Sequence, residues 1–414
     1  MARIRIKNFG PIKEGCSDND GWIEIRKVSV FIGNQGGGKS CIAKLISTFT
    51  WMEKVLVRGD YVINDFSASK FRQTYCGYHR IENYFFNREH VDVAEIEYEG
   101  GAYSMRYVKG NFWIKAYMTQ TYHLPQIMYA PTERNFISVI KEVGAFKTLP
   151  DSLLEYLTEF NNAKDEIKDG LSLPINNANI EYDKQHDVIN VNDSDYKIEL
   201  SKASSGFQSL VPLYLVSWYL AYVVRRQVEN PQKMSHDEFR RFNDGVKLIW
   251  ANSSLTNEQR KIALSALSSH FSKSAFINIV EEPEQNLFPV SQQNLLYSLL
   301  EFNNLSSENQ LIITTQSPYV INGLSLAIKA GQVEQKMEAA GKEGDREELD
   351  RLVPLKSLLS KDDWIIYEVD NKGAVSKLVD YDGLPSDENC LNELLAETGG
   401  LFSELLRLED RYEK

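Results

Sequence analysis

The chain of 414 residues is poor in cysteine, in positive charge and in long apolar runs, and each shortage removes a class of protein. Its four cysteines, Cys16, Cys41, Cys76 and Cys390, are scattered, with no C-x-x-C pair and no obvious histidine partners. A disulfide framework or a zinc site is therefore not expected to organise the fold, and a reducing cytosol suits it. Forty-six lysines and arginines stand against 58 acids, giving a net charge of −12. That balance excludes a generally basic DNA-coating protein, though not a local basic groove. The opening MARIRIKNFGPIKE has no apolar signal-peptide core. The most apolar run, Leu210 to Val224, has 15 residues and contains Pro212. It falls short of the roughly 18 residues a spanning helix needs, so a buried helix of a cytoplasmic protein is expected, with no membrane partner. The six histidines, at 79, 90, 123, 186, 236 and 270, are dispersed and read as surface or satisfied core residues. Internal repeats and low-complexity tracts are also missing.

What is present is an ordered series of short apolar strands, each ending in a polar motif. Arg3 to Ile6 alternates as a half-buried strand should. Val28 to Ile32 is a buried strand, followed by a glycine-rich loop and a helix in which Ile42, Leu45, Ile46 and Phe49 recur at helical spacing. Residues 92–118 change to period two, with Gly100-Gly101 marking a hairpin. Gln126 to Ala130 is apolar again and leads into Pro131-Thr132-Glu133-Arg134. Residues 151–168 read as a helix capped by Asp151, 178–200 as a second β piece, and 235–272 as polar-faced helix. Phe276 to Val280, Leu311 to Thr315 and Trp364 to Val369 are further strands. Residues 324–360 and 387–411 read as helical. The expected fold class is α/β. The organisation expected is a nucleotide-binding lobe in two parts (1–135 and 276–414) around a helical lobe (136–275).

Gly33-Asn34-Gln35-Gly36-Gly37-Gly38-Lys39-Ser40 fits G-x-x-x-x-G-K-[ST]. Such a loop must bring backbone N–H groups against phosphate oxygens, which side chains would obstruct. The helix that follows offers its N-terminus to the anion. Lys39 supplies a cation for the β and γ phosphates, and Ser40 a hydroxyl for Mg²⁺. Glu281-Glu282-Pro283-Glu284 closes strand FINIV. Phosphoryl transfer needs a carboxylate near Mg²⁺ and another group that positions water, and Glu281 and Glu282 can fill those two roles. Gln316 follows strand LIITT where a γ-phosphate sensor belongs, but its amide cannot shuttle a proton. Ser204, Ser205, Gly206 and Gln208 open a long helix whose N-terminus can meet a γ-phosphate in trans. Arg225-Arg226 and Arg240-Arg241 read as solvated helix faces.

In this order the motifs resemble those of ABC-type ATPases of the overcoming-lysogenisation, RecF and Rad50 kind. IKNFGPIKE is similar to their opening strand-turn, GNQGGGKS to Walker A, PTER to a P-A-E-R turn, SSGFQ to the ABC signature, INIVEEPEQNLFP to Walker B, and TTQSP to the switch segment. The resemblance implies a P-loop fold of ABC-ATPase type with a mixed sheet, an antiparallel β subdomain and a helical signature lobe. It implies ATP and Mg²⁺ as cofactors, and homo-oligomers whose ATP sites are shared between subunits, with a higher ring-like assembly possible in geometry. Three departures matter: Glu281 stands where the family has Asp, Gln316 where the switch His is expected, and Phe288 where L-H-P has His. Slow turnover is the expected consequence.

Within the superfamily the chain most resembles the stand-alone ATPases of bacterial anti-phage systems, in particular the ATPase subunits of the PARIS system. That resemblance implies a sensor and scaffold controlling a separate Toprim-type nuclease effector in response to a phage-encoded trigger. Asp380-Tyr381-Asp382 has the spacing of a Toprim D-x-D pair but a polar, turn-like context, so the effector is expected on another chain. A RecF-type repair ATPase bound to DNA shares every nucleotide motif, and the acidic balance counts against it. A degenerate site holding ATP structurally is the non-enzymatic alternative. A transporter ATPase fits poorly with the long spacer and charged tail.

Overall fold

In the computed structural model the described residues are 2–117, 122–139, 149–193, 195–229, 236–251, 273–341 and 343–412. The strands of the three larger sheets, in chain order, are β1 (Arg3–Lys7), β2 (Gly15–Cys16), β3 (Ile23–Glu24), β4 (Val28–Gly33), β5 (Glu95–Glu99), β6 (Tyr103–Val108), β7 (Asn111–Ala116), β8 (Pro125–Ala130), β9 (Leu171–Ser172), β10 (Asn179–Asp183), β11 (Val188–Asn192), β12 (Lys197–Glu199), β13 (Ala275–Glu281), β14 (Gln310–Thr315), β15 (Trp364–Val369) and β16 (Ala374–Lys377). The principal helices are α1 (Lys39–Val57), α2 (Asp151–Asp165), α3 (Ser205–Glu229), α4 (His236–Ala251), α5 (Pro289–Asn303), α6 (Pro318–Ala339) and α7 (Cys390–Glu409).

Seven strands form one mixed sheet in the order β2-β16-β15-β4-β14-β13-β8. From β15 to β8 the neighbours are parallel. The period of two along each strand sorts side chains into two cores. Val28, Val30 and Ile32 of β4 and Leu311 and Ile313 of β14 face one core, with α2, α3, α5 and α6. Phe31, Ile312, Ile277 and Ile279 face the other, with α1. Helix α1 is covered on its far side by an antiparallel sheet, β3-β1-β5-β6-β7. Within that sheet Ile4 and Ile6 are buried, while Arg3 and Arg5 pair across the strands with Glu99 (2.7 Å) and Glu97 (2.6 Å). Phe49 of α1 stacks on Tyr98 of β5, with ring centroids 5.2 Å apart. A four-stranded antiparallel sheet, β12-β11-β10-β9, belongs with the helical core through Ile180, Ile189 and Val191.

The apolar helix is longer than its apolar run. Helix α3 has 25 residues and is long and apolar enough, by length and composition, to cross a membrane. Its burial decides the matter, for 67% of that apolar window lies inside the protein. Asp151 is not the cap of α2. Pro150 takes that position, and Asp151 is the first helical residue, where its negative charge still suits the helix N-terminus. The charged stretch 324–360 is not a single helix: α6 starts earlier, at Pro318, and the chain breaks after Ala339 before a short helix at Arg346–Leu352. Of the expected helix over 235–272, residues 236–251 are helical, and 252–272 lie outside the described residues.

Pro212 sits inside α3, where it removes the N–H that would bond to the carbonyl of Gln208. The Ser138 hydroxyl takes its place, donating to Gln208 O at 2.7 Å. Replacing Ser138 with Ala leaves that carbonyl unpaired in a buried joint and should cost about 1–2 kcal/mol in urea unfolding. The cost should shrink in a Pro212→Ala background, where residue 212 regains its N–H. Equal costs in both backgrounds would show that the hydroxyl does not replace the missing bond.

Candidate functional site

The parallel order places three motif-bearing strand ends side by side. Strand β14 lies between β4 and β13, so the glycine loop, the Gln316 turn and the Glu281-Glu282 turn all leave the same sheet edge. Gly33 and Gly38 show why glycine is needed in the loop. A Cβ on Gly33 (φ 136°) would lie 2.1 Å from Val369 O, and one on Gly38 (φ 117°) 2.8 Å from Ile12 Cγ1. Asn34, Gln35 and Gly36 are exposed, whereas Gly37, Gly38 and Lys39 are buried. Gly37 N–H reaches Asn34 O at 3.4 Å. Among the described residues, the backbone N–H groups of Gly36, Gly38, Lys39 and Ser40 have no hydrogen-bond acceptor. Four such donors at the start of α1 form an anion nest.

Lys39, 5% exposed, donates to Gly33 O (2.7 Å) and Asn34 O (2.8 Å). Burial holds its pKa below the usual lysine range, and the carboxylates of Glu282, Glu284 and Glu281 partly offset that. Glu281 is buried at the end of β13, and its Oε1 has no hydrogen-bond partner. Glu282 adopts φ 42°, left-handed backbone that costs a non-glycine residue about 1 kcal/mol and recurs at functional turns. Its N–H bonds to Thr314 O at 2.8 Å, and its Oε1 accepts from Gln316 Nε2 at 2.7 Å. Gln316 N–H donates to Glu284 Oε1 at 2.7 Å, and burial raises the Glu284 pKa. The two turns are thus joined by two hydrogen bonds, and the expected catalytic pair, Glu282 and Gln316, is in direct contact.

Arg134, the last residue of the PTER turn, carried no role in the sequence reading and has a large one in the structure. It is fully buried and donates to Pro131 O (3.0 Å), Glu281 O (2.5 Å) and Glu282 O (2.6 Å). A planar guanidinium suits two successive carbonyls in a way that a lysine ammonium does not. The sequence signal was an arginine in a turn after an apolar strand, and only the fold supplies its partners 147 and 148 residues away.

The signature residues divide into two groups. Ser204 and Ser205 are exposed at the start of α3. Gly206 rests on the turn after Glu284, where a Cβ would lie 3.2 Å from Asn286 O, and Asn286 Nδ2 donates to Ser209 Oγ at 2.9 Å. Gln208 is turned inward: its Nε2 donates to Ser201 O (3.0 Å) and Leu200 O (3.4 Å) of its own chain. The amide N–H expected to act in trans is thus committed in cis. Phe288, in place of the family histidine, is 74% exposed and precedes α5. Arg225 and Arg226 pair with Glu229 (2.9 Å) and Glu166 (3.1 Å), as solvated helix faces do.

Taken together, the strand before the glycine loop, the strand inserted beside it and the antiparallel sheet over α1 define an α/β fold with a mixed sheet and a P-loop at its edge. No protein-family model matches the chain, and no curated protein matches it. Among solved structures, the SMC head domain from Thermotoga maritima aligns over 78% of this chain and 90% of its own, at 13% identity and a TM-score of 0.34. An Smc head domain with an extended coiled coil, bound to the C-terminal domain of ScpA from Pyrococcus furiosus, aligns over 98% and 100%, at 11% identity and a TM-score of 0.34. A nucleotide-free ATP-binding cassette from an ABC transporter aligns over 92% and 93%, at 10% identity and a TM-score of 0.27. Any functional reading therefore rests on the site itself.

Replacing Arg134 with Met should cost about 3 kcal/mol of stability, because three carbonyls lose a charged donor. Arg134→Lys should recover only part of it. Urea midpoints within error of the parent for both variants would refute the clamp.

Proposed function

We propose that this chain is a slow ATPase whose sites are completed between two copies. The observation that carries the reading is the Gln316–Glu282 contact at 2.7 Å, beside a buried Lys39 and four unpaired loop N–H groups. The N–H groups and Lys39 suit a triphosphate. Glu281 Oε1, buried without a partner, and the hydroxyl of Ser40 in the first turn of α1 are hard oxygen donors that suit Mg²⁺. Among the described residues no three acidic, histidine or cysteine side chains gather as a metal site, which agrees with a cation held largely by phosphate and water. When bound, Mg²⁺ would neutralise charge on the phosphates. Glu282 orients the attacking water and accepts its proton. Gln316 holds Glu282 through its amide and takes no proton itself, which keeps turnover slow.

Ser204 and Ser205, exposed at a helix N-terminus, are the pair offered to a second subunit's γ-phosphate. Assembly also accords with α7, whose outer half leaves Leu401, Phe402, Leu405, Leu406 and Leu408 between 46% and 64% exposed. The resemblance to anti-phage ATPases supports a cellular role as sensor and scaffold for a separate Toprim-type nuclease released by a phage-encoded trigger. The net charge of −12 favours protein partners over a nucleic-acid track. Within this reading the chain works as two nucleotide-lobe segments (1–135 and 276–414) around a signature lobe (136–275).

Lys39→Ala should weaken ATP binding at least about 100-fold in calorimetry. Glu282→Gln should bind ATP normally and lose about 100-fold or more in phosphate release. Unchanged phosphate release in Glu282→Gln would remove the enzymatic reading and leave a structural nucleotide. Ser205→Arg should keep ATP binding but lose ATP-dependent dimers in sedimentation velocity. Dimers formed as readily as by the parent would discard the shared site.

A further inference from the structure

A second cavity, of about 390 Å³, lies away from the nucleotide loop. It opens between the second half of α1, residues 61–79, the start of β8 and the first turn of α2. Its walls are aromatic. Trp51 stands 5.4 Å from Tyr75 and 5.9 Å from Tyr61, centroid to centroid, and Tyr78 lines the side nearest α2. Tyr78 is fixed by its hydroxyl, which donates to Glu155.

The floor holds an unusual polar group. Gln126, at the edge strand β8, is 6% exposed and lines the cavity. An amide on a cavity floor presents a donor and an acceptor to a ligand with a matching edge. The charges at the mouth, Lys54, Asp151 and Glu155, sum to −1 and disfavour a phosphate.

We infer that this cavity binds an uncharged nucleoside, its flat base laid against the aromatic wall that Trp51 and Tyr75 form and its edge read by the Gln126 amide. The volume lies within the range of small-ligand pockets. Every base offers a π-face to an aromatic wall, and a glutamine amide presents one donor and one acceptor to a base edge. The site also touches the ATP site. Tyr129 lines the cavity and meets His79 edge-on at 4.5 Å. His79 Nδ1 and Tyr129 Oη are both buried without partners. Burial keeps His79 neutral, its pKa pushed down to about 3, and burial with the nearby Glu281 carboxylate raises that of Tyr129. Occupancy that moves Tyr129 therefore reaches the carboxylate proposed to hold Mg²⁺. Nucleoside binding itself does not depend on the ATPase reading.

The test is tryptophan fluorescence of the full chain titrated with adenosine, guanosine, cytidine and uridine. At least one should give a saturable change below about 1 mM. The signal should vanish in Trp51→Phe and persist in Lys39→Ala. Gln126→Leu should weaken binding about 10-fold or more. If Gln126→Leu fails to fold, Tyr61→Ser at the exposed lip serves in its place, read by calorimetry. No saturable change with any of the four up to about 5 mM overturns the inference. So does binding lost in Lys39→Ala, which would place the nucleoside at the glycine loop. Unaltered affinity in folded Gln126→Leu does the same.

Discussion

The guanidinium of Arg134 holds together the part of this protein on which the proposed chemistry depends. Two adjacent carboxylates, Glu281 and Glu282, must leave a buried strand in different directions, and the second does so through left-handed backbone. Neither the strain nor the burial is favourable alone. Arg134 offsets both by donating to the carbonyls of both residues from a position fully shielded from water. Because Arg134 follows β8 and the carboxylates follow β13, the clamp also fixes the edge of the seven-stranded sheet to its neighbour. The helical lobe is tied to the same corner, since Ser138, four residues on, completes the backbone of α3 at Pro212.

Much of this arrangement was legible in the sequence, because it rests on consecutive residues. A strand, a glycine loop and a helix are read from period and spacing, and in the structure Lys39 and Ser40 open α1. The strands around FINIV and LIITT were likewise plain, since a buried parallel strand is a short apolar run. Even the direct contact of Glu282 with Gln316 follows once β13 and β14 are neighbours.

What escaped the sequence was every property set by a distant partner. The apolar run of 15 residues understated a helix of 25, because the turn after Val224 is mostly charged and polar. Gln208 read as a free signature side chain, yet it closes the turn before its own helix, a choice made by the carbonyls of Leu200 and Ser201. His79 read as an ordinary surface or satisfied residue, whereas it is buried with one ring nitrogen unpaired. Gln126 lay inside an apolar strand pattern and gave no sign that its amide would face a cavity. Side-chain chemistry of this kind depends on edges and lobes that meet only in the folded chain.

The departures from the family pattern also make sense together. Replacing a switch histidine by glutamine removes a group that could exchange a proton at neutral pH and supplies one that can only hold. Here Gln316 bonds Glu282 through its side chain and Glu284 through its backbone, so the two turns move as one. Glu281, one methylene longer than aspartate, is buried beside Tyr129 with an unpaired oxygen. On the proposed reading, a corner held this firmly is poorly suited to rapid cycling. It is better suited to a protein whose nucleotide state must persist until another event changes it, and Tyr129, shared with the aromatic cavity, gives such an event a physical route to Glu281.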